Sequence, residues 1–207
     1  MRTSANIVAV VGTYRKGGVI DTAVDTLLEA AREQGAQTTK VYLIDKKIAF
    51  CTNCRRCTQE PGTARGICVL DDDMPPLLDA IAAADAIVLA SPMNFGTVTA
   101  VTKQFIERLV CYAYWPWGTA APHERNPKKE KHAVIVIASA APAIMARPCS
   151  GMVKLMRKAL TLLGTKKPHL LFIGLAAMKR QARLSPRVQR KARILGAELA
   201  RKSLRQL

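Results

Sequence analysis

Short apolar runs and longer stretches of 3.6-residue apolar spacing alternate from one end of the chain to the other. The runs cover 7–11, 41–44, 86–90, 133–138 and 170–174, and none shows strict polar/apolar alternation. That is the pattern of strands covered on both faces. Helical spacing appears in Val24, Leu27, Leu28 and Ala31; in Met74, Leu77, Leu78 and Ile81; and in Val101, Phe105 and Leu109. It returns in Met152, Leu155, Met156 and Ala159, and in Val188, Ala192, Leu195 and Leu199. Gly35 and Gly164 stand where helix C-caps belong.

Strict β-α alternation of five strands predicts an α/β fold: a doubly wound, five-stranded parallel sheet in the order 2-1-3-4-5, flavodoxin-like, with helices on both faces. One domain over 1–207 is expected, since 207 residues suit a single layered core. Two connections are long: 45–73, with four cysteines, and 111–132, with four aromatic residues. Long loops in a compact domain usually carry function.

Composition narrows the classes. Apolar residues make up 49% and charged residues 23%, which excludes a disordered or fibrous chain. The net charge of +17 is uneven: residues 179–207 hold ten Lys or Arg against the single acid Glu198, and about half the excess sits there. This tail predicts a basic amphipathic helix at about 185–205, read as a solvated face because no nucleic-acid-binding signature accompanies it. No nucleic-acid partner is expected. The longest mostly apolar stretch, 133–145, falls short of the roughly twenty residues that span a bilayer. The opening MRTSAN and the five-residue run after it do not make an export signal, so a cytoplasmic protein is expected, with thiols kept reduced.

The turn after the first strand reads VGTYRKGGVIDT, 11–22. Glycines free the backbone to curl, a helix N-terminus offers unpaired N–H groups, and Thr13, Arg15 and Thr22 add hydroxyls and a guanidinium, which together suit a phosphate monoester. It is neither a Walker A loop nor G-x-G-x-x-G. The plain alternative is an ordinary turn with Thr22 as N-cap. After the third strand comes SPMNFGT, 91–97, which the strand order places across one crevice from the first loop. Such a turn can present backbone amides and carbonyls to a ring's heteroatom edge while Met93 and Phe95 cover its face. Ser139, after the fourth strand, shares that edge of the sheet.

These loops, with the DDDM helix entry at 71–74 and the KQFIER helix at 103–108, resemble the NADPH-dependent FMN reductase and iron-sulfur flavoprotein group of flavodoxin-like proteins. The resemblance runs from about residue 6 to 110 and more weakly to 176. It implies that Thr13, Arg15 and Thr22 hold the FMN phosphate and that Pro92, Met93, Asn94, Phe95 and Gly96 contact the isoalloxazine. Val19-Ile20-Asp21 departs from that group where an Asn is usual, and Asn94 stands where a Tyr is common. NAD(P)H as reductant is implied too.

Cys51, Cys54, Cys57 and Cys68 form C-x2-C-x2-C-x10-C. The spacing resembles [4Fe–4S] loops, with three corners from a compact run and a fourth Cys further on. The iron-sulfur flavoproteins carry such a motif after strand two, with the fourth Cys usually nearer. Arg55, Arg56 and Arg65 are candidates to offset the thiolate charge. Reduced thiols without metal, a zinc site and a thiol-disulfide pair are the other readings. Cys111 and Cys149 fit no ligand spacing. Tyr112, Tyr114, Trp115 and Trp117 read either as a cover for a neighbour's flavin or a subunit interface, or as a loop folded on its own chain. His123, His132 and His169 are isolated and read as structural or solvated; hydride transfer to a flavin requires no protein acid or base, so no catalytic side chain is nominated.

The expected function is an FMN-dependent oxidoreductase or electron-transfer flavoprotein, with a [4Fe–4S] cluster relaying electrons to a redox partner such as a ferredoxin steered by the basic surface. An NAD(P)H-dependent FMN or quinone reductase without a cluster, and a zinc-stapled binding module, are the alternatives. By analogy with related flavoproteins, a homodimer or homotetramer is expected.

Overall fold

The computed structural model describes residues 4–125, 127–178 and 183–205. In chain order the elements are β1 (Asn6–Val11), α1 (Val19–Arg32), β2 (Gln37–Tyr42), α2 (Met74–Ala83), β3 (Ala86–Pro92), α3 (Ala100–Arg108), β4 (Ala113–Tyr114), β5 (His123–Glu124), β6 (His132–Ala138), α4 (Ala143–Ala146), α5 (Met152–Leu162), β7 (His169–Ile173) and α6 (Pro186–Leu204). The main sheet is parallel throughout, in the order β2-β1-β3-β6-β7. Its five strands therefore take the expected 2-1-3-4-5 order, and β4 and β5 form a small antiparallel hairpin inside the aromatic connection.

Alternate residues of each strand feed opposite cores. Val8, Val10, Ile87, Leu89, Ile135 and Ile137 pack under α2, α3 and α5. Ile7, Ala9, Val88, Val134 and Val136 pack under α1 and α6. Burying a side chain of this size contributes about 1.5–3 kcal/mol, so the central strands set the scale of stability. Two helix ends close as expected. Gly35 (φ +84°) and Gly164 (φ +81°) take the left-handed conformation, and the amides that follow, of Ala36 and Thr165, bond back to Ala31 and Leu160.

The second strand departs from expectation. An apolar run predicts it at 41–44, whereas β2 occupies Gln37–Tyr42 and Leu43–Asp45 form a 3₁₀ turn. As an edge strand β2 is only half covered, and its sequence QTTKVY is correspondingly polar. The basic tail forms α6 over Pro186–Leu204, capped by the Ser185 hydroxyl accepting from the Val188 amide. Residues 179–182, 206 and 207 of that tail lie outside the described residues. Among the described residues no helix is long and apolar enough to cross a membrane.

Candidate functional site

In this strand order the chain leaves β1 and β3 in opposite directions, which opens a crevice at the C-terminal edge of the sheet. Its two walls are tied together. The Gly12 amide donates to Ala90 O at 2.8 Å, and Gly12 O accepts the Thr99 hydroxyl at 2.6 Å. A Cβ at Gly12 would lie 1.7 Å from Thr102 Oγ1, so α3 reaches the loop only because residue 12 is glycine. From the loop side, the Tyr14 hydroxyl accepts the Ala100 N–H at 3.1 Å.

Within the loop Thr13 is buried, and its hydroxyl oxygen accepts the Arg15 amide at 3.2 Å; Arg15 stands exposed on the crest. Gly18, not Thr22, is the N-cap of α1. Thr22 lies inside the first turn, its hydroxyl donating to Gly18 O at 3.0 Å. A network that the sequence reading missed lies under the loop. Buried Asp21 accepts the Gly17 amide at 2.6 Å with one oxygen, and Lys40 at 2.9 Å and the Tyr42 hydroxyl at 2.6 Å with the other. Burial pushes the Asp21 carboxyl up, but the bonds from Tyr42, Gly17 and Lys40 outweigh that and hold it below its usual value. The visible sign was an acid in the first turn of α1 opposite Lys40 and Tyr42, which alternate on one face of β2.

The opposite wall is a tight turn. The amides of Asn94 and Thr97 donate to each other's carbonyls at 2.9 and 3.0 Å, with Phe95 (φ +48°) and Gly96 (φ +75°) between them. Positive φ at a phenylalanine is strained, and such strain clusters at functional sites. Phe95 projects fully into solvent. Pro92 and Met93 are half-buried at the foot of the turn, the Met93 amide bonded to Ala138 O at 2.7 Å. Ser139 is buried beside it, its hydroxyl donating to Ala141 O at 2.7 Å.

Cys51, Cys54, Cys57 and Cys68 line one cavity of about 230 Å³, with Thr52, Leu70, Arg108, Val110 and Trp115 among the other walls. The two cysteines that fit no ligand spacing do not line it. Cys111 is buried, and burial pushes its thiol up to about 12; Cys149 is exposed elsewhere. The four thiols ring the cavity rather than meeting at a point: among the described residues no three His, Cys, Asp or Glu side chains are placed to share one ion. Asn53 (φ +55°) and Arg55 (φ +59°) wind the loop through the left-handed region on either side of Cys54. Bonds from the Arg56 amide and the Thr52 hydroxyl pull the exposed Cys54 thiol down, whereas burial pushes Cys57 up.

The arginines differ from expectation. Arg65 pairs with Asp79 at 2.5 Å. The guanidinium of Arg55 is clamped between the rings of Trp115 and Trp117, 4.0 and 4.1 Å from their centroids, and donates to Trp115 O at 2.6 Å. Among the described residues the cation hydrogen-bonded to a cysteine side chain is Arg108, buried on α3, 3.5 Å from Cys68 Sγ and ion-paired at 2.5 Å with Asp72, whose side chain is nearly covered. Buried Arg125, also missed, staples the loop by donating to Ala113 O, Gly62 O and Cys57 O. A Cβ on Gly66 would lie 1.7 Å from Cys57 O, so the returning strand of the loop passes Cys57 in close contact. The aromatic stretch thus folds over the cysteine loop of its own chain, with Trp117 still largely exposed.

Over 109 residues the chain is 37% identical to an iron-sulfur flavoprotein of Archaeoglobus fulgidus, a match covering 53% of this chain and 47% of that protein. The chain spans about half the length of the curated relatives it matches. Among solved structures it resembles an FMN-dependent NADH-azoreductase from Bacillus anthracis in complex with FMN, at TM-score 0.68 and 11% identity over 95% of this chain and 99% of that one. It also resembles an archaeal flavodoxin, at TM-score 0.54 and 11% identity over 96% and 98%. These identities speak for the fold. The family model for NADPH-dependent FMN reductase matches residues 5–166, more than half of the chain, and the chain belongs to that family.

Proposed function

We propose that the crevice between β1 and β3 binds FMN and that the protein is a flavin-dependent oxidoreductase reduced by NAD(P)H. The observation that carries this is the coupling of the two walls through Gly12, Thr99 and Tyr14, which brings a phosphate loop and a ring-holding turn to one place. The phosphate is assigned to the first-turn amides of α1 with Thr13 and Arg15. Thr22 spends its hydroxyl on Gly18 and supports the turn. Pro92, Met93, Asn94, Phe95 and Gly96 border the ring, with Ser139 behind them. When bound, FMN accepts a hydride and passes on its two electrons. The protein orients it and excludes water from the foot of the turn through Pro92 and Met93.

The same reading assigns a [4Fe–4S] cluster to Cys51, Cys54, Cys57 and Cys68. A cavity ringed by thiols suits a multi-atom cluster better than one zinc ion, whose four sulfurs must all lie about 2.3 Å from the metal. The cluster would supply one-electron transfer, and Arg108 would offset thiolate charge at Cys68. An acidic, ferredoxin-like partner fits the chain's net charge of +17. Exposed Trp117, Phe95 and Phe50 support a homodimer or homotetramer, which light scattering tests; a cytoplasmic setting fits the free thiols.

One anaerobic absorbance spectrum with iron and sulfide assays decides the reading. Flavin bands with a broad shoulder near 400 nm are expected. Flavin without iron after anaerobic reconstitution leaves a cluster-free FMN or quinone reductase; neither chromophore sinks the whole reading.

A further inference from the structure

Between residues 131 and 197 the chain holds fourteen Lys or Arg and no Asp or Glu. Part of that charge lines two adjoining hollows at the open edge of the sheet. One, about 390 Å³, is walled by Arg147, Pro148, Ser150, Val153, Lys154 and Arg157. The other, about 430 Å³, shares Arg147 and Pro148 and is otherwise lined by Ala143, Ile144, Leu170, Phe172 and Lys191.

The first hollow offers an anion several donors. Ser150 Oγ and Arg157 Nε, on two half-buried residues, are covered atoms that spend no hydrogen bond within the protein, so both are free to donate to an oxygen bound there. Arg147, Lys154 and Arg157 form no ion pair among the described residues. The same hollow abuts the start of α5, an 11-residue helix. Its first intrahelical bond runs from the Leu155 amide to Gly151 O, which leaves the amides of Met152, Val153 and Lys154 without an intrahelical acceptor. The second hollow offers what a flat ring needs, a half-buried phenylalanine on an edge strand between aliphatic walls.

We propose that the paired hollows bind a phosphorylated nucleoside, its phosphate among Arg147, Ser150, Lys154 and Arg157 and its base against Phe172. Two ligands share this chemistry, a free 5′-nucleotide and the 2′-phosphoadenosine end of NADPH. The hollows follow the Ser139 connection in the chain, at α4 and the start of α5, so the second source would join the site to the proposed flavin chemistry, and only that assignment rests on the flavin reading.

The test is calorimetric titration of 2′,5′-ADP, 5′-AMP and inorganic phosphate into the full chain at low salt, without turnover. Wild type should bind a nucleotide saturably, and Lys154→Ala and Arg157→Gln should each weaken it by about tenfold or more, the effect of losing a charge-assisted bond. Phe172→Leu should weaken the nucleotides and leave inorganic phosphate unchanged. Tighter binding of 2′,5′-ADP assigns the site to NADPH, and tighter 5′-AMP to a free nucleotide. Lys154 is exposed, so its variant stays informative if the others misfold. No saturable nucleotide binding, or binding equal in wild type and Lys154→Ala, or inorganic phosphate as tight as either nucleotide, overturns the proposal. FMN content measured on the same samples reports separately on the flavin reading.

Discussion

Arg108 lies 3.5 Å from the sulfur of Cys68 while holding the carboxylate of Asp72 at 2.5 Å. Both partners of the ion pair are buried, so neither is easily replaced. Removing one member of a buried pair costs about 3–5 kcal/mol, because the charge left behind has no partner. Arg108→Gln should therefore lower the unfolding free energy from urea titration by that order and reduce iron content, while a surface control such as Lys103→Gln changes neither.

The same pair fixes an acid limit. Burial pushes the Asp72 carboxyl up, but bonds from Arg108 and the amides of Ala49 and Met74 outweigh it, and its pKa falls below the usual 3.8. A depressed carboxyl stabilises the fold fully above its unfolded pKa and loses that contribution as pH falls through the folded one. Urea midpoints from about pH 5 down to pH 2 should decline in wild type and decline less steeply in Asp72→Asn. Parallel curves would remove this role for Asp72.

The flavin assignment predicts two graded effects. Arg15→Ala should weaken FMN by about 1.5–3 kcal/mol, the range for a charge-assisted hydrogen bond. Gly12→Ala should lower both FMN affinity and melting temperature, since its methyl group would enter the space of the Thr102 hydroxyl. Equal FMN affinity in wild type and Arg15→Ala, by fluorescence quenching, would contradict the phosphate assignment.

For the cysteines, Cys→Ser at 51, 54, 57 or 68 should each deplete iron and bleach the absorbance near 400 nm while FMN is retained. Cys111→Ser and Cys149→Ser should do neither. An iron content that responds to Cys149 but not to Cys54 would refute the ligand set.

Arg55 clamps the two tryptophans to the cysteine loop, an arrangement worth about 0.5–2 kcal/mol in cation–π attraction. Arg55→Ala should release Trp117, shift the tryptophan emission to the red and speed proteolysis between 55 and 117. Unchanged emission would show that the loop is held by other contacts.

The sheet order was legible because central strands must be apolar on both faces. Edge strand β2 misled for the same reason, its polarity hiding it from a search for apolar runs. The thiols could be chosen by spacing, since local windings place residues three apart on one wall. Their charged surroundings could not. Arg55, Arg56 and Arg65 are neighbours in sequence, yet the guanidinium beside Cys68 comes from Arg108, forty residues away, and the staple at Cys57 from Arg125. Likewise Asp21 looked like a departure in the phosphate loop, and its purpose appears only once β2 brings Lys40 and Tyr42 beneath it.

Helix α3 also acts as a ruler. Thr99 and Thr102 at its start touch Gly12, while Gln104 and Arg108 hold the carbonyls of Ile48 and Ala49 at the entry to the cysteine loop. At a rise of about 1.5 Å per residue, Thr99 and Arg108 stand about 13 Å apart along the axis. One residue inserted between them would swing Arg108 by about 100° away from Asp72 and Cys68. A full extra turn would restore its facing but push the two sites apart by about 5.4 Å. The separation of the two proposed redox sites is therefore quantised, and drift by single residues is closed to it.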